Sequence, residues 1–271
     1  MPVKRQGASV QLRTDDGYYG HGGIWSVITI LPDVDAFLTA HKAFFEYIAD
    51  WERGLGPLLM DDLTDHGKNG RKIVVLCVDL IKGFVSHGPL ASPRIAAIVP
   101  NVVDLFRTAY ARGVRDFVLA QDSHPPDSPQ FEAFGAHCVV GTGEAETIDE
   151  LAGLPFSNEF TVMLKQSLDP AIDTDLDVWM DQRQNITSVI IVGDCTDLCV
   201  YQTAMHIRMR ANAMPRNLDV IVPANCVQTY DVSVADAPAL CATPHDADLL
   251  HVLFLHHMFL NGIIVAKEIK S

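Results

Sequence analysis

The 271-residue chain carries 34 acidic and 20 basic side chains, for a formal net charge of −14 and a pI near 5.0. That balance leaves no basic surplus to neutralise a phosphate backbone, so nucleic acid is excluded as an expected partner. A 48% hydrophobic content can fill one large core. The longest apolar region, 252–266, is interrupted by His256-His257 and Asn261-Gly262, which predicts a soluble, cytoplasmic chain with no membrane partner. Six cysteines scattered without a framework read as free thiols in a reducing compartment.

Residues 1–70 differ in pattern from the rest of the chain and are assigned to an N-terminal extension. It begins irregularly around the glycine-rich 17–23. A helix is predicted over 34–53, with Phe37, Leu38, Phe44, Phe45, Ile48 and Trp51 near helical spacing, and an acidic loop over 61–70. From residue 71 strand and helix patterns alternate to the end, the signature of a doubly wound, mostly parallel α/β sheet. Six strands are expected at 73–78, 115–120, 160–165, 188–193, 218–222 and 262–266. Helices are expected near 93–112, 145–152, 172–182, 199–213 and 246–260, with Gly113 as a stop and Asp246 as a start.

In an open parallel sheet, side chains at the carboxyl ends of neighbouring strands converge on one crevice. The first strand runs into Asp79 and the third into Lys165. The fourth, uninterrupted and β-branched over 189–192, breaks at Gly193 and leads into a helix that starts near Cys199. An acid, a cation and a thiol are therefore expected to meet. A thiol in the first turn of a helix should also ionise more easily than a free one. A lone cysteine is more often a small buried hydrophobe, and it is the company of Asp79 and Lys165 that favours a nucleophile.

A second group lies just past the strand at 115–120. Asp122 and His124 alternate at its end and point the same way, while His137 returns after a short loop with Glu132 nearby. Two imidazoles and one or two carboxylates suit one divalent ion of the zinc, iron or manganese class. The alternative is that these histidines stay solvated or hydrogen-bonded. His256 and His257 lie in an apolar helix with no partner motif and read as packing or surface residues. No organic cofactor is implied.

Over 71–267 the chain resembles the nicotinamidase and isochorismatase-like cysteine hydrolases. The resemblance rests on Val78-Asp79-Leu80 with Gly83-Phe84, Asp122-Ser123-His124-Pro125, His137-Cys138-Val139-Val140-Gly141-Thr142, Lys165, and the run from Gly193 to Val200. It implies an isochorismatase-like fold for 71–271, a catalytic triad of Asp79, Lys165 and Cys199, and an oxyanion hole formed by the backbone N–H groups of Cys195 and Cys199. It also implies a cis Asp194–Cys195 peptide. Cys195 stands where the family usually has alanine, Gly135-Ala136 replace the usual prolines before the His-Cys pair, and the loop after Asp122-Ser123-His124 is short.

The implied reaction is hydrolysis of a small-molecule amide through a thioester, with Asp122, His124, His137 and Glu132 as the expected metal ligands. The alternatives are isochorismatase-type hydrolysis of a vinyl ether and a catalytically silent interaction domain. The aromatic face of the 34–53 helix has no obvious place in the core, which predicts a homo-oligomer.

Overall fold

The computed structural model describes residues 33–64, 72–183, 185–214 and 216–271. The irregular 17–23 stretch and most of the acidic 61–70 loop lie outside them. Two compact units divide the chain, Met1–Ala43 and Phe44–Ser271. In the first, the described residues form the beginning of helix α1 (Val34–Arg53), where Phe37 and His41 rings lie 4.3 Å apart.

Among the described residues, the second unit holds a seven-stranded sheet and a separate two-stranded one. In chain order its strands are β1 (Leu58–Leu59), β2 (Lys72–Val78), β3 (Asp116–Asp122), β4 (Phe160–Lys165), β5 (Ile186–Asp194), β6 (Asp219–Pro223), β7 (Val227–Gln228), β8 (Ile264–Ala266) and β9 (Ile269–Lys270). The main path runs β4-β3-β2-β5-β6-β8, every pairing parallel, and β7 adds beside the end of β5. The chain winds outward from β2 to β4, then crosses to β5 and winds the other way. The seam between β2 and β5 is thus the switch point where a crevice opens.

Alternation along β2 shows why the sheet is buried on both faces. Ile73, Val75 and Cys77 enter one core with α2 (Pro93–Ala111), through Val99, Val102 and Phe106. Val74, Leu76 and Val78 enter the other, with α3 (Leu176–Asp181), α4 (Cys199–Ala213) and α5 (Ala247–Leu260). The predicted helix ends are in place: Gly113, at φ 89°, comes just after α2, and the Asp246 carboxylate accepts the Leu249 N–H at 3.0 Å at the start of α5.

Two helices are shorter than expected. Over 145–152 only Asp149–Ala152 is α-helical, because Thr147 pairs with Ile81 in an antiparallel bridge that pulls the backbone out straight. Over 172–182 helix begins only at Leu176. Before it, the Asp169 and Asp173 carboxylates accept backbone N–H groups from Ala171 and Gln166 and compete with helical bonding.

Residues 44–64, assigned from the sequence to the extension, pack in the second unit. Met60 and Leu63 are buried in its core, and β1 pairs with β9. The Trp51 ring meets those of His256 and Phe259 at 5.0 and 5.5 Å, so His256 is a packing residue.

One ion-pair cluster ties the loop after β4 to α4. The His206 ring nitrogens lie 3.1 Å from Asp169 and 3.0 Å from Asp177, and the Asp169 hydrogen bond, with help from Asp177, pushes its pKa up to about 9. A raised folded pKa contributes stability that is complete below the unfolded value near 6.5 and is lost as pH rises through 9. Urea unfolding of His206→Gln should therefore show a deficit on the order of 2 kcal/mol at pH 6 that closes toward pH 10. An equal deficit at both pH values would exclude this linkage.

Candidate active site

The residues expected at the strand ends meet. Register places Asp122 directly beside Lys165 at the ends of β3 and β4. Asp79 leaves β2 in left-handed backbone, φ 58°, a conformation aspartate tolerates better than most residues. Gly193 lies against the β2 backbone, where a Cβ would fall 1.9 Å from the Val78 carbonyl oxygen, so only glycine permits the turn into Asp194. The Asp194–Cys195 peptide is cis, and Cys199 opens α4.

Lys165 Nζ is the hub. It lies 2.7 Å from Asp79 Oδ2 and 3.6 Å from Cys199 Sγ, and it donates to Asp122 Oδ1. Asp79 Oδ1 accepts the Asp122 N–H at 2.8 Å. Asp79 and Lys165 are fully buried and Cys199 nearly so, and buried charges persist only when paired in this way.

Two carboxylates share one ammonium, and this sets their protonation. Burial and the Asp122 charge push Asp79 up to about 6, against the pull of Lys165. Burial also works against ionisation of Asp122, but Lys165 and the two neighbouring histidines outweigh it and hold that carboxyl below the usual range. Lys165 is held well above its ordinary value, since Asp79, Cys199 and Asp122 overcome its desolvation.

The expected easy ionisation of Cys199 is not met. Burial pushes its thiol well above the usual range although Lys165 opposes it, because a helix terminus acts weakly against complete desolvation. The thiol is therefore at rest a proton donor with a carboxylate base within the same cluster.

The second group also forms, with one exception. Asp122, His124 and His137 are buried, and one ligand atom from each lies within 4.8 Å of the others. Nε2 of His124 and of His137 stand 3.3 and 3.6 Å from Asp122 Oδ2. The short loop does let His137 return. Gly135, at φ 74°, ends the turn Phe131–Phe134, and the backbone past His137 pairs with His124, whose N–H donates to the Cys138 carbonyl at 3.0 Å.

Glu132 is not brought in. It is exposed on that one-turn helix, because proximity in sequence does not decide which way a helical side chain faces.

The trio fits a divalent cation. His137 Nδ1–H can donate to the Gly135 carbonyl at 2.8 Å, leaving the Nε2 lone pair directed at the cluster, and both buried ring nitrogens of His124 lack a hydrogen-bond partner within the protein.

Sequence reading missed the supports of the turn at 194–198. Thr196 Oγ1 lies 2.8 Å from His251 Nδ1, and Asp197 Oδ2 lies 2.7 Å from His245 Nε2. Both histidines come from about fifty residues downstream, and neither sits in a pattern that announces a contact. Among the described residues, the N–H groups of Cys195 and Cys199 donate to no backbone acceptor.

Fold and site together define an α/β enzyme whose buried acid, ammonium and thiol meet at the carboxyl edge of a parallel sheet. The sequence matches the family model of the isochorismatase domain over residues 73–259, and the chain belongs to the isochorismatase family of hydrolases. Nicotinamidase 1 of Arabidopsis thaliana is 27% identical over 215 residues, 72% of this chain and 86% of that protein. Among solved structures, nicotinamidase PncA from Bacillus subtilis is similar with a TM-score of 0.58 and 25% identity, covering 72% of this chain and 99% of that one. The N-carbamoylsarcosine amidase from Thermoplasma acidophilum has a TM-score of 0.50 and 28% identity, covering 65% and 97%. Among the described residues no helix is long and apolar enough to cross a membrane.

Proposed function

We propose that the protein is a nicotinamidase-like amidohydrolase that cleaves a small amide through a thioester on Cys199. The observation that carries this reading is the Lys165 ammonium set between Asp79 and Cys199 at 2.7 and 3.6 Å, all three shielded from water. As the sulfur attacks the carbonyl carbon, the Asp79 carboxylate takes the thiol proton and Lys165 balances the charge that passes between them. The carbonyl π pair moves to oxygen, where the N–H groups of Cys195 and Cys199 are the available donors; one such donor is typically worth about 3 kcal/mol of barrier.

The tetrahedral species then expels the amine. Asp79 returns its proton to the departing nitrogen, ammonia leaves, and the acyl group remains on sulfur. Asp79, a carboxylate again, draws a proton from water, which attacks the thioester and releases the acid and the thiol. With a pKa near 6, Asp79 can serve in both directions near neutral pH.

Names of relatives support the amide class: the nicotinamidases and the N-carbamoylsarcosine amidase are all named as amidases. An ammonia-release screen over nicotinamide, pyrazinamide and N-carbamoylsarcosine should find at least one substrate. Release from none of them or of a wider set of small amides would overturn the reading.

We also propose that Asp122, His124 and His137 hold one zinc, iron or manganese ion, with remaining positions open. Such an ion supplies a Lewis acid that polarises water or a substrate heteroatom. Elemental analysis of protein purified without a metal-affinity tag should find close to one equivalent, and His124→Ala should remove it while Glu132→Ala should not. Equal metal content in wild type and His124→Ala would place the ion elsewhere.

A further inference from the structure

Stabilising an oxyanion requires that the N–H groups of Cys195 and Cys199 be held on one point while charge develops there, and a misplacement of about 1 Å can cost on the order of 100-fold in rate. Part of the hold is internal to the turn, where the Cys195 carbonyl accepts the Leu198 and Val200 N–H groups at 3.0 and 3.1 Å. The rest comes from outside, from the Gln228 carbonyl, His251 and His245.

His245 Nε2 lies 2.7 Å from Asp197 Oδ2, two residues before the nucleophile, and its Nδ1 lies 2.8 Å from the Tyr230 carbonyl. Its ring stacks on the Tyr230 ring at 3.9 Å and 17°. Its backbone pairs with Val232 in both directions, at 2.9 and 2.8 Å. Asp197 is 7% exposed and its Oδ1 is buried without a partner, so its carboxylate depends on the His245 contact at Oδ2 to hold it, and with it the turn, in place.

We propose that His245 is a positioning residue: through Asp197 it fixes the turn that presents the Cys195 and Cys199 N–H groups to the oxyanion. This rests on the thioester reading above. The geometry distinguishes it from a packing residue, because the part that matters is one N–H aimed at Asp197, which a different side chain can supply.

Pyridine-3-carboxaldehyde is a direct probe. In its adduct a bond forms between Cys199 sulfur and the aldehyde carbon, the carbonyl π pair moves to oxygen, and the thiol proton passes to Asp79. The adduct oxygen then occupies the oxyanion position. Protection of Cys199 from iodoacetamide measures that adduct without any turnover.

His245→Leu should label at a rate within about threefold of wild type when no aldehyde is present, yet need about 10–100-fold more aldehyde for protection. His245→Gln should stay within about threefold of wild type, since the glutamine amide can still donate to Asp197. On an identified amide, kcat of His245→Leu should fall by a similar factor with KM little changed. Wild-type protection in His245→Leu, or an equal loss in His245→Gln, would overturn the proposal.

If His245→Leu does not fold, Asp197→Asn gives the second reading. It keeps the volume and weakens the charge-assisted bond, so it should raise the required aldehyde about 3–10-fold. Unchanged protection there would also overturn the proposal. Failure of the thioester reading would show separately, as full amide turnover in Cys199→Ala.

Discussion

Cys199→Ala should lose at least about 10⁴-fold in kcat on any amide that the wild type hydrolyses, because no other group in the cluster can form the acyl intermediate. Among the described residues, Cys199 is the thiol within reach of Lys165, 3.6 Å from its ammonium. Burial pushes the Cys77 and Cys138 thiols well above the usual range. Cys195 Sγ is turned toward the Asp194 carboxylate, 3.9 Å away. Cys195→Ala therefore serves as the control and should keep most of the activity, since its contribution is a backbone N–H that alanine retains. The mutant should also stay folded, because replacing a small buried thiol with a methyl group leaves little space unfilled. Circular dichroism and a steady-state assay on both variants would check this. Full activity in Cys199→Ala would rule out the thioester.

Lys165→Met should fail in both stability and rate. The ammonium neutralises Asp79 and Asp122 at the same time, and methionine fills the volume without the charge. Removing one partner of a buried ion cluster typically costs about 3–5 kcal/mol, because it strands the opposite charge away from water. The same change removes the cation that balances thiol and carboxylate, for an expected loss of at least about 10³-fold in kcat. Urea denaturation and single-turnover kinetics would separate the two effects. A variant as stable as wild type would show that the two carboxylates do not depend on this ammonium.

Much of the fold was readable because the strands of a doubly wound sheet are buried on both faces and stand out as β-branched runs. Their carboxyl ends then name Asp79, Lys165 and the turn before Cys199 without any knowledge of neighbours. The register that sets Asp122 beside Lys165 is not written in either strand, so Asp122 was read only as a metal ligand and its share of the ammonium went unseen. Glu132 was drawn in by closeness along the chain, and the predicted helix at 145–152 was broken by pairing with a residue more than sixty positions away. The protonation of Cys199 was misjudged for a related reason: position at a helix start is visible in sequence, whereas complete burial is a property of the packed site.

If the acyl group passes through Cys199, peptide mass spectrometry of the quenched enzyme should find it there. The full chain would be mixed with an amide found in the screen, quenched in acid within the first turnover, and digested. The expected result is a mass increase equal to the substrate less ammonia, confined to the peptide that contains Cys199 and removed by hydroxylamine. Turnover with the adduct on any other residue, or a first turnover that yields product with no adduct under conditions where deacylation is slowed, would contradict it.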